Sequence, residues 1–170
     1  MRVLFNLDNK DYDLNWRIVD RPSVRGIIIK DNKIAMGYSQ KHDYYQFPGG
    51  GVEHGESHLQ TLKREVKEEV GLIVIDESVR EYGLVHKIQK GHGRYIWIQE
   101  NFYYTCDVEK KIEEQNLDKR ERKEGLKLEF VNAKHAINTN REKKHGVREA
   151  LMLEREARVL EFLIREGYLN

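Results

Sequence analysis

Glu65, Glu68 and Glu69 are the residues whose types and spacing most directly suggest chemistry. Residues three and four apart on a helix are neighbours, so Glu65 stands beside both Glu68 and Glu69. Like charges placed this way repel by roughly 0.2–0.5 kcal/mol per pair. They also fall in the last turns of the expected helix, where the backbone dipole favours cations. A local rule broken without local compensation points to function. A divalent cation removes the conflict, because carboxylate, carbonyl and water oxygens are the hard ligands that magnesium takes. The competing reading is a solvated acidic face, with Lys63, Arg64 and Lys67 as ion-pair partners.

The segment ahead of these glutamates favours the metal reading. Phe47-Pro48-Gly49-Gly50-Gly51 precedes the helix, and Gly55-Glu56 leads into it. Three consecutive glycines let the backbone approach a ligand with no side chain in the way. Ser57 and Gln60 form a capping box, which predicts a helix opening at about His58. Gly71 is placed to close it in the left-handed conformation. Leu59, Leu62, Val66 and Val70 share one face and are expected to pack on the core.

Taken as one pattern, positions 50 to 72 read Gly-x5-Glu-x7-Arg-Glu-Val-x-Glu-Glu-x-Gly-Leu. The fixed positions are Gly50, Glu56, Arg64, Glu65, Val66, Glu68, Glu69, Gly71 and Leu72. This resembles the signature of the Nudix hydrolases at every fixed position, and residues 24 to about 137 resemble a whole domain of that family. The resemblance implies an α/β fold, the Nudix-type α/β/α sandwich with a mixed β-sheet between helices. It implies a loop–helix–loop that holds Mg2+ or Mn2+. It also implies hydrolysis of a diphosphate link in a nucleoside diphosphate joined to another group, or in a related nucleoside triphosphate.

Carried over position by position, the resemblance makes Glu65, Glu68 and Glu69 metal ligands and Gly49 a carbonyl donor. Arg64 orients the glutamates by ion pairing. Glu56 braces the loop and reaches the metal through water. Members of the family often add an acid from a later loop. Here Glu124, ahead of a strand at 126–131, is the first candidate and Glu121 the second. As general base, Glu65 has the first claim and Glu124 the next. The expected catalytic set is therefore Glu65, Glu68, Arg64 and Glu124.

The elements that must position this site form a mixed pattern. Residues 24–30 and 33–39 read as a hairpin across Asp31-Asn32. Residues 79–89 and 94–108 read as a second, across Gly91-His92-Gly93. A short apolar run covers 72–75, a strand 126–131 and a short helix 133–137. Helical periodicity runs over 142–166, with Val147, Leu151, Leu160, Leu163 and Ile164 among its apolar positions. The segment 109–125 carries six cations against six anions and reads as a solvated connection. Residues 1–23 read as an N-terminal extension that either supplies an extra strand and a contact in a homodimer or simply pads the domain.

Composition narrows the class. At 170 residues one domain is expected over 1–170. A formal net charge of +1 in a chain that is 35% charged gives no electrostatic case for nucleic acid or a membrane surface. No apolar run approaches a membrane span, the first residues do not read as a signal peptide, and the cytoplasm is the default. Cys106 is the lone cysteine and is expected to be a buried core thiol. His54 and His58 flank Glu56, but Gly55 breaks the continuous helix that a zinc-protease pattern needs.

Substrate markers of several subgroups are missing. Pro48 is the last proline, which disfavours the ADP-ribose-cleaving and NADH-cleaving members that carry prolines after the signature. Residues 36–46 hold no arginine, unlike the corresponding element of coenzyme A-cleaving members. Tyr82 and Tyr95 sit too near and too far for the tyrosine of the diadenosine-polyphosphate subgroup. Nucleoside triphosphates, oxidised nucleotides, nucleotide sugars and non-nucleotide diphosphates remain. The alternative is a catalytically silent nucleotide sensor, a role usually accompanied by a degraded signature.

Overall fold

Asp31 and Asn32 both adopt positive φ, 49° and 56°. That pair of angles is what a tight two-residue hairpin turn demands. It joins β4 (Ile29–Lys30) to β5 (Lys33–Ser39), as the sequence predicts. The computed structural model describes residues 1–142 and 147–170.

The first arm of that hairpin differs from expectation. The run 24–30 is not one strand, because β3 (Ser23–Ile27) ends before Ile28 and belongs to another sheet. The Ile27 carbonyl accepts from Cys106 N–H at 3.1 Å, and the Ile28 carbonyl accepts from Ala35 N–H at 2.9 Å. The chain therefore crosses between two sheets at Ile28.

The larger sheet is built on β8 (Arg80–Lys90) and β9 (Tyr95–Thr105), an antiparallel hairpin across residues 91–94. β1 (Val3–Asp8) adds in parallel to β8, and β2 (Arg17–Asp20) and β3 add in parallel to β9. The N-terminal segment is thus part of the main sheet. The second sheet is antiparallel: β11 (Leu126–Val131) and β6 (Tyr44–Gln46) both pair with β5. β7 (Leu72–Val74) pairs with β10 (Val108–Ile112) as a separate ribbon.

Helices cover both sides. α1 (His58–Val70) packs Leu62, Val66 and Val70 against Val24, Ile28 and Ala35. α3 (Ala133–Glu142) and α4 (Val147–Arg165) pack Ala136, Ala157, Leu160 and Leu163 against Ile27, Met36, Phe47 and Tyr103. Along β5, Ile34 and Met36 join one core and Ala35 the other, the period-two alternation of a strand buried on both faces. The fold is a mixed α/β sandwich with helices outside and strands between. The strands are shared among two sheets and a ribbon, where one sheet was expected.

Smaller differences are confined to single elements. Leu59, in the first turn of α1, is 37% exposed and lies outside the core. The short helix expected at 133–137 continues to Glu142 as α3. The start of the helix expected from 142, residues 143–146, lies outside the described residues. The segment 109–125 contains β10 and a short helix, α2 (Lys119–Glu124). Asp118 and Glu121 form its capping box, and Gly125 closes it at φ 64°. Cys106 is buried, and burial pushes its thiol up to about 12, so it is an inert core group as expected.

Candidate active site

α1 starts and ends as its sequence dictates. Ser57 Oγ accepts from Gln60 N–H at 3.2 Å, and Gln60 Oε1 accepts from Ser57 N–H at 2.8 Å. Gly71 closes the helix at φ 69°. The loop ahead of it is stapled to β3. Val24 N–H donates to the Gly50 carbonyl at 2.9 Å, and Gly26 N–H donates to the Pro48 carbonyl at 2.8 Å. From the other side, the buried Glu156 of α4 accepts from Phe47 N–H at 3.1 Å.

This rigid loop and α1 form one wall of a cavity of about 1020 Å3. Glu65, Glu68, Glu69, Gly49, Arg64, Glu121 and Glu124 all line it. Every metal-ligand candidate from the sequence except Glu56 thus borders one space. Glu56 stands behind Arg64.

Arg64 organises the acidic groups. Its Nε and one terminal nitrogen donate to the two oxygens of Glu56, at 2.7 and 2.8 Å. Its other terminal nitrogen donates to Glu65 at 2.7 Å and to Glu68 at 3.4 Å. The hydrogen bond from Arg64 holds the Glu56 carboxyl down at about 2, helped by Thr61. Such a planar fork is what bidentate carboxylate pairing requires of arginine.

Glu69 is buried and faces the loop. It accepts from Gly49 N–H at 2.8 Å and from the Gln46 amide at 3.4 Å. Burial pushes its carboxyl up to about 8, against the pull of Arg25 and the Gly49 N–H. Arg25 of β3 donates to the carbonyls of Phe47 and Gly49, so it holds the carbonyl expected to face a metal. Among the described residues, no three Asp, Glu, His or Cys side chains are yet gathered at ligand distance. The carboxylates are instead spread over Arg64 and the Gly49 N–H. By chemical type, the donors that border the cavity are the all-oxygen set that suits a hard divalent cation.

The two later acids are placed by α2. Glu124 accepts from Tyr44 O–H at 2.8 Å. Glu121 Oε2 caps its own helix by accepting from Asp118 N–H at 2.7 Å. Burial raises the Glu121 carboxyl, and repulsion from Glu65 adds to the rise. Glu121 in turn raises Glu69. Glu121 therefore stands within electrostatic reach of the α1 glutamates.

The NUDIX domain family matches residues 20–153. The chain belongs to the Nudix family. Over 56 residues, 31% of this chain, it is 46% identical to an 8-oxo-dGTP diphosphatase of Buchnera aphidicola subsp. Schizaphis graminum and covers 43% of that protein. Over 62 residues, 35% of this chain, it is 42% identical to an RNA pyrophosphohydrolase of Saccharophagus degradans and covers 36% of that protein. The matched stretch is less than half the length of each relative. A Nudix hydrolase structure from Nitrosomonas europaea aligns with a TM-score of 0.60 at 17% identity, over 83% of this chain and 90% of that one. The solution structure of the E. coli ORF135 protein aligns at 0.56 and 21% identity, over 90% and 96%. At these identities the likeness shows the Nudix fold.

Several residues of this Nudix site carry no sequence signal. Arg25, Lys87 and Arg155 come from three separate elements and meet only in the fold. Lys87 sits in a strand pattern where a surface lysine is the ordinary reading. Tyr44 and Gln46 look like core strand residues until β6 brings them to the cavity.

Proposed function

We propose that the chain is a metal-dependent hydrolase of a diphosphate link in a small nucleotide, acting in the cytoplasm. The observation that carries this reading is Arg64, which gathers Glu56, Glu65 and Glu68 at the mouth of a glycine loop. The names of the relatives, a diphosphatase and a pyrophosphohydrolase, point to the same chemistry. No helix among the described residues is long and apolar enough to cross a membrane.

In this reading Glu65, Glu68 and Glu69, with the Gly49 carbonyl, hold Mg2+, and Mn2+ is a workable substitute. When bound, the metal neutralises phosphate charge and makes a water more acidic. Gly49 N–H occupies one oxygen of Glu69 and Arg25 one lone pair of the Gly49 carbonyl, so each group would keep acceptor capacity for the metal. The rigid loop positions the substrate's phosphates against α1. Water attacks one phosphorus, the bridging P–O bond breaks, and the outgoing phosphate keeps the bond's electrons. Glu65 is the first candidate to take the water's proton. Of the later acids, Glu121 is the one within electrostatic reach of Glu65 and Glu69, which favours it as the second candidate. Glu124 has its place fixed by Tyr44.

A free nucleoside polyphosphate and a 5′-phosphorylated RNA end share this link. The near-neutral chain favours the small substrate. The test is a panel with magnesium: nucleoside triphosphates, 8-oxo-dGTP, nucleotide sugars and 5′-triphosphate RNA, assayed for released phosphate or pyrophosphate. Turnover of a free nucleotide supports the reading. Turnover of RNA alone would overturn the small-substrate assignment, and turnover of none would overturn the hydrolase itself.

A further inference from the structure

Lys87 is a buried cation with no ion-pair partner among the described residues. It lies on β8, is 7% exposed and lines the cavity. Among the described residues its ammonium has no hydrogen-bond or ion-pair partner. Its charged neighbours are Arg155 and Glu156 of α4 and Arg25 of β3.

Glu156 is the one anion among them, and both of its oxygens are already engaged. One oxygen of Glu156 pairs with Arg155 and the other accepts from Phe47 N–H at 3.1 Å. Arg155 also donates to Asn101 Oδ1 at 2.5 Å. Arg25 spends one terminal nitrogen on two loop carbonyls, while its buried Nε has no partner. Three cations thus meet at this wall, where Glu156 is committed to Arg155 and the loop and Glu69 adjoins Arg25. Burial first, then Arg155 and Arg25, push the Lys87 ammonium down to about 7. Burial and like charges both disfavour the protonated form, and an anion entering the cavity at this wall would favour it.

The wall has an order. Lys87 and Gln89 of β8 and Tyr95, Trp97 and Gln99 of β9 all line the cavity, with Lys87 paired to Gln99 and Gln89 to Trp97. One face of the hairpin therefore carries a buried cation at one end and aromatic rings at the other. Arg25 acts on both Glu69 and Lys87, so the cation end adjoins the α1 glutamates.

We propose that Lys87, with Arg25 beside it, forms an anion subsite that binds a phosphate in addition to the diphosphate held at the α1 glutamates. The proposal rests on the hydrolase reading above for its position along the substrate. It names the substrate class as a nucleoside carrying at least three phosphates, its base towards Tyr95 and Trp97. A nucleotide sugar would place an uncharged group in the subsite.

The test is calorimetric binding of inorganic pyrophosphate to metal-free protein in EDTA, for wild type, Lys87→Met and Lys87→Gln. A charged hydrogen bond of this kind is worth about 10- to 100-fold in affinity. Wild type is expected to bind, and both variants are expected to bind about 10- to 100-fold more weakly. With magnesium, the same variants should raise KM for a nucleoside triphosphate by a larger factor than KM for a nucleotide sugar. Thermal unfolding identifies any variant that fails to fold, and the other then decides. Equal pyrophosphate affinity in wild type and the folded variant, or no binding by wild type, overturns the subsite. Binding through Lys87 in a protein that hydrolyses nothing would retain the subsite and remove the hydrolase reading. Hydrolysis with unchanged KM and affinity would do the reverse.

Discussion

Glu65 lies so close to the Gly50 backbone that a Cβ on Gly50 would overlap its carboxylate. The atom met is the end of a flexible side chain, so Gly50→Ala should move Glu65 and leave the fold intact. A small misplacement of a reacting group can cost about 100-fold, and a fall of that order in kcat is expected. Gly49→Ala should behave differently. Gly49 has φ 144°, and its added Cβ would strike the Val24 carbonyl of the backbone. Strain of this kind costs about 1–3 kcal/mol and should appear as a lower denaturation midpoint. Wild-type kcat in Gly50→Ala, or unchanged stability in Gly49→Ala, would contradict this division.

Arg64→Lys should fold and lose activity. A lysine carries one point charge and cannot repeat the two parallel bonds to Glu56 at 2.7 and 2.8 Å while also holding Glu65. Residues that orient metal ligands typically contribute about 10–100-fold in metal affinity or activity. Magnesium titration of the reaction rate reads both effects. A lysine variant with normal metal dependence and normal kcat would show that the fork has no role.

The signature and its helix were legible because local chemistry specifies them. Ser57, Gln60 and Gly71 set the ends of α1, and the crowded glutamates mark it as functional. β11, the second hairpin and the Asp31-Asn32 turn of the first followed from alternation and turn residues. The Asp118-x-x-Glu121 box with Gly125 was equally readable as a helix, but the surrounding charge concealed it. Other features depended on long-range packing. The break at Ile28 arises because two sheets compete for neighbouring carbonyls. The cluster of Lys87, Arg25 and Arg155 joins residues far apart in the chain, at least 62 positions in every pair, and no local pattern records it.

Stability should depend on pH through Lys87. Its ammonium falls from 10.5 to about 7 on folding, through burial and then Arg155 and Arg25, with Glu156 opposing. Between these values the unfolded chain holds the proton that the folded chain has released. Stability therefore rises with pH across that window. Below about 7 both states are protonated and the folded state bears the full cost of the buried charge. Denaturant curves for wild type should gain on those for Lys87→Met as pH rises from about 7 towards 10.5. A constant difference between the two proteins would contradict this.

Glu121→Gln and Glu124→Gln should differ. Loss of a general base typically lowers kcat by about 100- to 10,000-fold, and Glu121→Gln is expected to fall in that range if it completes the site. Glu124→Gln keeps an oxygen for Tyr44 O–H and should retain more activity. Both measurements belong at saturating magnesium. The opposite ranking would return the role to Glu124, and full activity in both would leave Glu65 as the base.

The central claim is that the α1 glutamates hold a divalent metal used to hydrolyse a diphosphate link. The most direct measurement is 31P NMR of nucleoside triphosphate turnover during a magnesium titration, with wild type and Glu68→Gln side by side. Wild type should form a nucleoside monophosphate and pyrophosphate only when magnesium is present and stop when EDTA is added. Glu68→Gln, folded to the same degree, should need more metal and turn over far more slowly. Turnover that is unaffected by EDTA and by Glu68→Gln would contradict the account.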